Sequence, residues 1–392
     1  MATILLPALL VSTIASHTDG RQRALRLGDV LDRSLFSRNG GGAAPLLLLA
    51  RGQQIETVAQ LEQLRQAGYR VEFPEGSRPS RGGTAESQRG KRGGDAEEQF
   101  QHRTFVANRV REAIILATRS LMRRVSAGDS PAVAELLPAC SSLTEQVAAD
   151  PYALAALTYL TDCDDYTIGH SVDVSILMVA IARMLDYPAE ELTTIALAGM
   201  LHDVGKQRLP PVILEKQGPL TPDEYAEVQQ HPIYGHEILS RTPGATGRPA
   251  LVALQHHERL DGTGYPNGLS GAEMDNYSLL ACVADTFDAM TTDRVYQPAV
   301  SAWRALAELH IKCRDQFDRT TVLALTKLVG VFPVGTRVRL DSGEVAVVVA
   351  PNPENTAAPV VKVERDKRGH ALPWPFLLNL ADHPRRIVVA LD

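Results

Sequence analysis

Hydrophobic and polar positions along the chain follow three different patterns. Residues 45–74 carry an apolar run, a polar turn and then Val58, Leu61 and Leu64 at helical spacing between Thr57 and Gly68, followed by a second short apolar run. That order predicts strand, turn, helix, strand, and so a small α/β N-terminal unit over residues 1–74. The opening MATILLPALLVSTIAS has no basic leader and is too short to span a bilayer, so it reads as a strand or helix of that unit. Residues 75–100 are rich in Gly, Ser, Arg and Glu and nearly empty of apolar side chains. Such a stretch buries too little surface to offset its ordering entropy, which predicts a disordered linker.

From 101 to 330 the apolar residues recur at helical spacing, in stretches such as RVREAIILATRSLMRRV, SVDVSILMVAIARML and SLLACVADTFDAM. Thr221-Pro222-Asp223-Glu224 has the form of a capping box with proline in the first turn, and Pro188 before Glu190 and Glu191 is a similar start signal. No alternating pattern interrupts the block, so an all-α bundle is predicted. Residues 331–392 return to alternation: TRVRLDSGEVAVVVA is two runs around Asp341-Ser342-Gly343, and APVVKVERDKRG and RRIVVALD add strands. The expected fold is thus mainly α, with a small β-barrel-like C-terminal extension and with Trp303 and Trp374 as core anchors.

A hydrophobic content of 44% and a charged content of 22% are those of an ordinary globular protein. The net charge of −6 gives no case for a nucleic-acid or membrane partner. Cys140, Cys163, Cys282 and Cys313 lie far apart with no CxxC pair, which argues against a disulfide framework and for a cytoplasmic protein. Cys282 reads as a small core residue.

The candidate chemistry is concentrated in the helical block. Six of the eleven histidines fall between residues 170 and 257: His170, His202, His231, His236 and the pair His256-His257. His202-Asp203 ends the apolar helix IALAGML, which Gly205 is expected to terminate, and an aspartate there is costly unless paired or metal-bound. Asp285 and Asp288 follow one turn apart on another apolar helix. Imidazole with carboxylate suits Fe, Mn, Ni or Zn, while the scarcity of cysteine argues against a structural zinc site. These ligands outnumber the needs of one ion, so a dinuclear centre bridged by Asp203 and a water is the economical reading. His236 reads as a helix-surface residue, and His310, His370 and His383 as structural or surface residues.

The order H…HD…D formed by His170, His202-Asp203 and Asp285 resembles that of HD-domain metal-dependent phosphohydrolases. HHERLDGTGYP matches the HHExxDGxGYP signature of the HD-GYP subgroup, and DYTIGHS, LHDVGK, HPIYGHEIL and VADTFDAMTTDRVY match further stretches. The resemblance covers about residues 105–325. It implies a bacterial phosphodiesterase that hydrolyses cyclic di-GMP to pGpG or on to GMP. One metal would take His170, His202, Asp203 and Asp285, and the second Asp203, His231, His256 and His257. Iron or manganese is implied first, with nickel, zinc or magnesium as alternatives. Two dications lower the pKa of a bridging water, and the resulting hydroxide attacks phosphorus in line with the leaving 3′ oxygen. Lys206 would contact the scissile phosphate and Arg294 the other phosphate, with Gly264 and Tyr265 on the substrate side and Asp288 both there and holding the site in shape. Glu258 is expected to hydrogen-bond around the site, for example to a ligand histidine.

Two positions depart from the family. Tyr166 stands where some members have a glutamate for a third metal, which favours two metals. Gln297 stands where a phosphate-gripping lysine is common, a loss worth roughly 1–3 kcal/mol of ligand binding if the contact is charge-assisted. The alternatives are an HD phosphohydrolase for another cyclic dinucleotide or nucleotide and a low-turnover cyclic di-GMP-binding module. The turn residues expose the GYP loop, so a diguanylate cyclase-type partner there, and a homodimer, also fit.

Overall fold

The computed structural model describes Arg26, residues 35–36 and 47–49, and residues 85–391 apart from 127–132, 161–165, 215, 217 and 294–298. The chain divides into two units, Met1–Gly83 and Thr84–Asp392. In the first, β1 (Leu35–Phe36) pairs antiparallel with β2 (Leu47–Leu49), and β2 falls on the apolar run read as a strand. The expected helix after Thr57, the strand that follows it and the apolar start lie outside the described residues.

The second unit opens on α1 (Ala85–Ser126), so residues 85–100 are helical and not a disordered linker. Two physical effects outweigh the low hydrophobicity. Phe100, Ala107, Arg111, Ile114, Thr118 and Leu121 are buried along one stripe of this helix, which gives it a packed nucleus. Extending a formed helix backwards costs far less than starting a new one, which carries α1 through Gly90, Gly93 and Gly94 as well as the Ala, Glu, Gln, Arg and Lys around them.

The bundle continues with α2 (Leu137–Ala149), α3 (Pro151–Leu160), α4 (Tyr166–Met184) and α5 (Ala189–Leu201). After a 3₁₀ turn at Val204–Arg208 come α6 (Pro211–Leu214), α7 (Pro222–Val228), α8 (His231–Leu239) and α9 (Arg248–Gln255). The last helices are α10 (Asn276–Thr291), α11 (Ala302–Lys312) and α12 (Arg319–Val329). The capping box of α7 forms as its sequence predicts, Glu224 N donating to Thr221 Oγ1 and Thr221 N to Glu224 Oε2.

At the centre, α4 lies against α5, α10, α1 and α12. Thr167–Met184 is apolar and long enough to cross a membrane by composition, but 83% of it is buried inside the bundle, as in a core helix. Gly199 of α5 sits where a Cβ would lie 2.5 Å from Ser175 Cα of α4, so only glycine permits this crossing. Ser175 Oγ donates to Ala196 O at 2.8 Å across the same contact. That close approach brings His170 on α4 level with His202 at the end of α5.

The C-terminal segment forms a five-stranded antiparallel sheet of order β6-β5-β4-β3-β7. Its strands are β3 (Arg337–Leu340), β4 (Val345–Ala350), β5 (Val360–Arg365), β6 (Ala371–Asn379) and β7 (Ile387–Leu391). The predicted hairpin is β3–β4, with alternating burial on both strands and Gly343 at φ 96° in its turn. The sheet is open, which corrects the barrel-like expectation. Its edge β6, which the alternation did not reveal, carries Pro373 and Pro375, which cannot donate to a further strand. Trp374, between those prolines, is 73% exposed and is not a core anchor.

Candidate metal centre

The residues singled out in the helical block converge from five elements. His170 comes from the second turn of α4, His202 and Asp203 from the end of α5, and His231 from the first residue of α8. His256 and His257 close α9, and Asp285 lies in the middle of α10. Two sets of ligand atoms result, each within 4.8 Å: Asp203, His231, His256 and His257, and then His170, His202 and Asp285.

Asp203 faces both sets with separate oxygens. Its Oδ2 is 3.3 Å from His202 Nε2 and 3.6 Å from His170 Nε2, while Oδ1 is 3.3 Å from His231 Nε2 and 3.6 Å from His256 Nε2. Asp285 spans them as well, with Oδ1 at 3.1 Å from His170 Nε2 and Oδ2 at 3.7 Å from His257 Nδ1.

The ring nitrogens behind the site are fixed. His202 Nδ1 donates to Gly199 O at 2.8 Å, His231 Nδ1 to Val228 O at 2.6 Å, and His256 Nδ1 to Ala253 O at 3.0 Å. A carbonyl only accepts, so these imidazoles are Nδ1–H tautomers whose Nε2 lone pairs point inwards. His231 Nε2 and His256 Nε2 consequently face each other across 3.2 Å. Two opposed lone pairs call for a cation between them. His202 Nε2 and Asp203 Oδ1 are buried without a hydrogen-bond partner. Unpartnered buried polar atoms are rare in folded proteins, and these two are a nitrogen and an oxygen of the type that divalent metals take.

The electrostatics agree. Burial pushes the Asp203 and Asp285 carboxyls up, but the Lys206 ammonium and His202 beside Asp203, and His170 and His257 beside Asp285, hold both well below the carboxylate range. Burial lowers His256 to about 4 and holds His257 well below its usual value, so both are neutral ligand bases near pH 7. His170 is also disfavoured as a cation by burial, but Asp285 and Asp288 outweigh it and raise the ring to about 9.

Residues around the ligands take roles that the sequence only partly indicates. Asp288 is fully buried and accepts from His170 Nδ1 at 2.7 Å, so it orients that ring rather than facing a substrate. Lys206 Nζ is hydrogen-bonded to Asp203 Oδ2, and its side chain is 22% exposed. Gly205 does not terminate α5, which ends at Leu201; it allows contact with α8, because a Cβ there would lie 2.0 Å from His231 O. Gly264 serves packing likewise, since a Cβ would meet Glu258 Cα and Arg259 N at 2.4 Å.

Among the described residues the Glu258 carboxylate has no hydrogen bond to a ligand histidine. Its buried carboxylate accepts from Asn267 N at 2.8 Å and Leu269 N at 3.0 Å, which closes the loop after α9 on itself. Arg259, which the sequence did not single out, pins the root of that loop: it donates to Glu258 O at 2.8 Å and lies over the Phe317 ring at 4.9 Å. Tyr265 stacks on His257 at 4.7 Å and 22°. Cys282 is buried, with its thiol pushed to about 12 by burial, as suits a core residue. His236 is half-buried on α8 and bonded to Ser240 Oγ at 3.3 Å. Arg294 and Gln297 lie outside the described residues, and Tyr166 is the first residue of α4.

The HD domain family model matches residues 132–321, a span that holds every ligand named above. A cyclic di-GMP phosphodiesterase of Pseudomonas aeruginosa is 35% identical over 68% of this chain and 63% of its own length. A cyclic di-GMP phosphodiesterase response regulator of Xanthomonas campestris pv. campestris is 40% identical over 38% of this chain and 39% of its own. A 3'3'-cGAMP-specific phosphodiesterase of Vibrio cholerae is 36% identical over 43% of this chain and 36% of its own. The chain thus spans less than two thirds of the length of each of these relatives. The HHERLDGTGYP segment delivers two of the ligands and lies inside the matched span, and the chain contains an HD domain over residues 132–321.

Proposed function

We propose that this chain is a metal-dependent phosphodiesterase that hydrolyses cyclic di-GMP to pGpG or GMP in bacterial second-messenger signalling, in the cytoplasm. The observation that carries this reading is the placement of Asp203, with one oxygen towards His170 and His202 and the other towards His231 and His256. Such a carboxylate suits a pair of divalent ions, with His170, His202 and Asp285 on one side and His231, His256 and His257 on the other. The donors being nitrogen and oxygen, iron or manganese fits best. Ions held there would supply Lewis acidity to the phosphodiester and lower the pKa of a water near neutral pH.

The protein groups do the rest. Asp203 and Asp285 stay ionised because neighbouring cationic and imidazole groups outweigh their burial. His256 and His257 stay neutral and available as ligands. Lys206, partly exposed beside Asp203, is placed to share its charge with a non-bridging phosphate oxygen. The names of the Pseudomonas and Xanthomonas relatives support cyclic di-GMP as substrate, and the Vibrio relative is the reason to keep 3'3'-cGAMP as the second reading. A diguanylate cyclase-type partner at the GYP loop, and a homodimer, are compatible with either.

The test is turnover by anaerobically purified protein loaded with Fe²⁺ or Mn²⁺, offered cyclic di-GMP, pGpG and 3'3'-cGAMP side by side. The reading requires cyclic di-GMP to be consumed fastest, and His202→Ala and Asp203→Ala each to abolish the rate. Tight binding of cyclic di-GMP without turnover under any metal would make the chain a receptor instead.

A further inference from the structure

His257 differs from the other candidate ligands in how it is held. His202, His231 and His256 each donate one ring nitrogen to a backbone carbonyl, and His170 donates to Asp288. Among the described residues His257 has no ring-nitrogen hydrogen bond; its Nδ1 faces Asp285 Oδ2 at 3.7 Å. Ligand histidines are ordinarily oriented by a hydrogen bond at the second nitrogen. In its place, the His257 ring lies between His256, with centroids 4.2 Å apart, and the Tyr265 ring stacked on it at 4.7 Å.

Resting on the metal-binding part of the reading above, we propose that Tyr265 is the positioning residue for His257, and that Glu258 is what holds Tyr265 in place. Offset stacking of aromatic rings is worth about 0.5–1.5 kcal/mol beyond area burial, enough to fix one ring plane. The backbone that carries Tyr265 is held too, because its loop is clamped at both ends. Glu258 takes the N–H groups of Asn267 and Leu269, Leu260 N donates to Gln316 O at 3.1 Å, and Tyr265 N donates to His257 O at 3.2 Å. Gly262 at φ 75° and Gly268 at φ 64° provide the two left-handed turns that this closure needs. The Tyr265 hydroxyl has no partner among the described residues, so the ring and not the phenol is the working part. The GYP loop therefore serves the metal ligands through one aromatic face.

Two readouts test this without relying on turnover. Metal-free protein is titrated with Mn²⁺ and the bound ions are counted by equilibrium dialysis and by electron paramagnetic resonance. Tyr265→Leu weakens one of two sites by roughly 2–12-fold and spares the other, Glu258→Gln gives a smaller loss of the same site, and Tyr265→Phe matches the wild type. In the metal-free protein, acylation of His257 by diethyl pyrocarbonate, located by peptide mass mapping, is several-fold faster in Tyr265→Leu and unchanged in Tyr265→Phe. Wild-type affinities at both sites together with unchanged His257 acylation in Tyr265→Leu overturn the proposal. A wild type that binds no manganese would sink the metal reading, while the acylation comparison would still decide the role of Tyr265.

Discussion

Asp288 Oδ2 lies 2.7 Å from His170 Nδ1, and the carboxylate is completely buried behind that ring. The pair leaves His170 Nε2 aimed at Asp285 and Asp203. A carboxylate behind a ligand histidine fixes its tautomer and raises its basicity. Asp288→Ala should therefore cost roughly 10–100-fold in affinity for one metal ion, with a parallel fall in turnover. Titration with Mn²⁺ measures it, and an unchanged affinity would remove Asp288 from the centre.

Gly205 packs so closely on α8 that an added methyl would sit 2.0 Å from His231 O and 2.4 Å from Gly235 N. Both neighbours are backbone, so neither can turn away as a side chain would. Gly205→Ala should displace the start of α8, where His231 is a ligand, and lower stability by about 1–3 kcal/mol as overpacking does. The expected result is a lower Tm together with weaker metal binding; wild-type values of both would show that α8 yields without cost.

Much of this is legible in the sequence, for identifiable reasons. Most candidate ligands sit at the end of an apolar run or inside one, so the cost of burying a polar group helps to mark them, whereas His231, after Gln229 and Gln230, is reached through the family resemblance. The count of histidines indicates more ligands than one ion needs, whereas their division into two sets on either side of Asp203 comes from the family resemblance. What the sequence does not display are relations set by backbone geometry. Glu258 reads as a neighbour of ligands, yet its hydrogen bonds go forward in the chain to Asn267 and Leu269. Gly205 reads as a helix stop, and only the approach of His231 reveals it as a packing requirement. The polar start of α1 and the proline-bearing β6 escape a reading of pattern because the first is propagated from the packed part of its own helix and the second is paired with β5.

The buried histidines give the metal-free protein a pH optimum with a definite sign on each side. His256 titrates at about 4 in the fold against about 6.5 when unfolded, because burial disfavours its cation, and His257 shifts the same way. Between those values the unfolded chain binds more protons, so stability falls as pH drops from about 6.5 towards 4. His170, raised to about 9, binds its proton more tightly in the fold, so its contribution is complete below about 6.5 and is lost as pH rises towards 9. Urea unfolding of chelator-treated protein should thus be hardest near pH 6.5. Saturation with metal requires a neutral His170 and should abolish the alkaline decline; a decline that persists in the loaded protein would contradict the ligand assignment.

Arg111 on α1 and Asp173 on α4 form a buried two-pronged pair, with Nε–Oδ1 at 2.6 Å and Nη2–Oδ2 at 2.5 Å. Their side chains are only 4% and 5% exposed, so the Asp173 carboxylate is held in the core by the Arg111 guanidinium. Burial pushes the Asp173 carboxyl up and the Arg111 guanidinium opposes it. Arg111→Met leaves an uncompensated carboxylate in the core and should cost about 3–5 kcal/mol, whereas adding Asp173→Leu should restore most of the loss. In Arg111→Met the carboxyl takes up a proton more readily than in the unfolded chain, so the damage should deepen as pH rises above the usual carboxylate range. Unfolding of both single variants and the double at two pH values gives the coupling energy directly. Additive losses in the double variant would mean that the two side chains do not rely on each other, and that α1 is held to α4 by its apolar stripe alone.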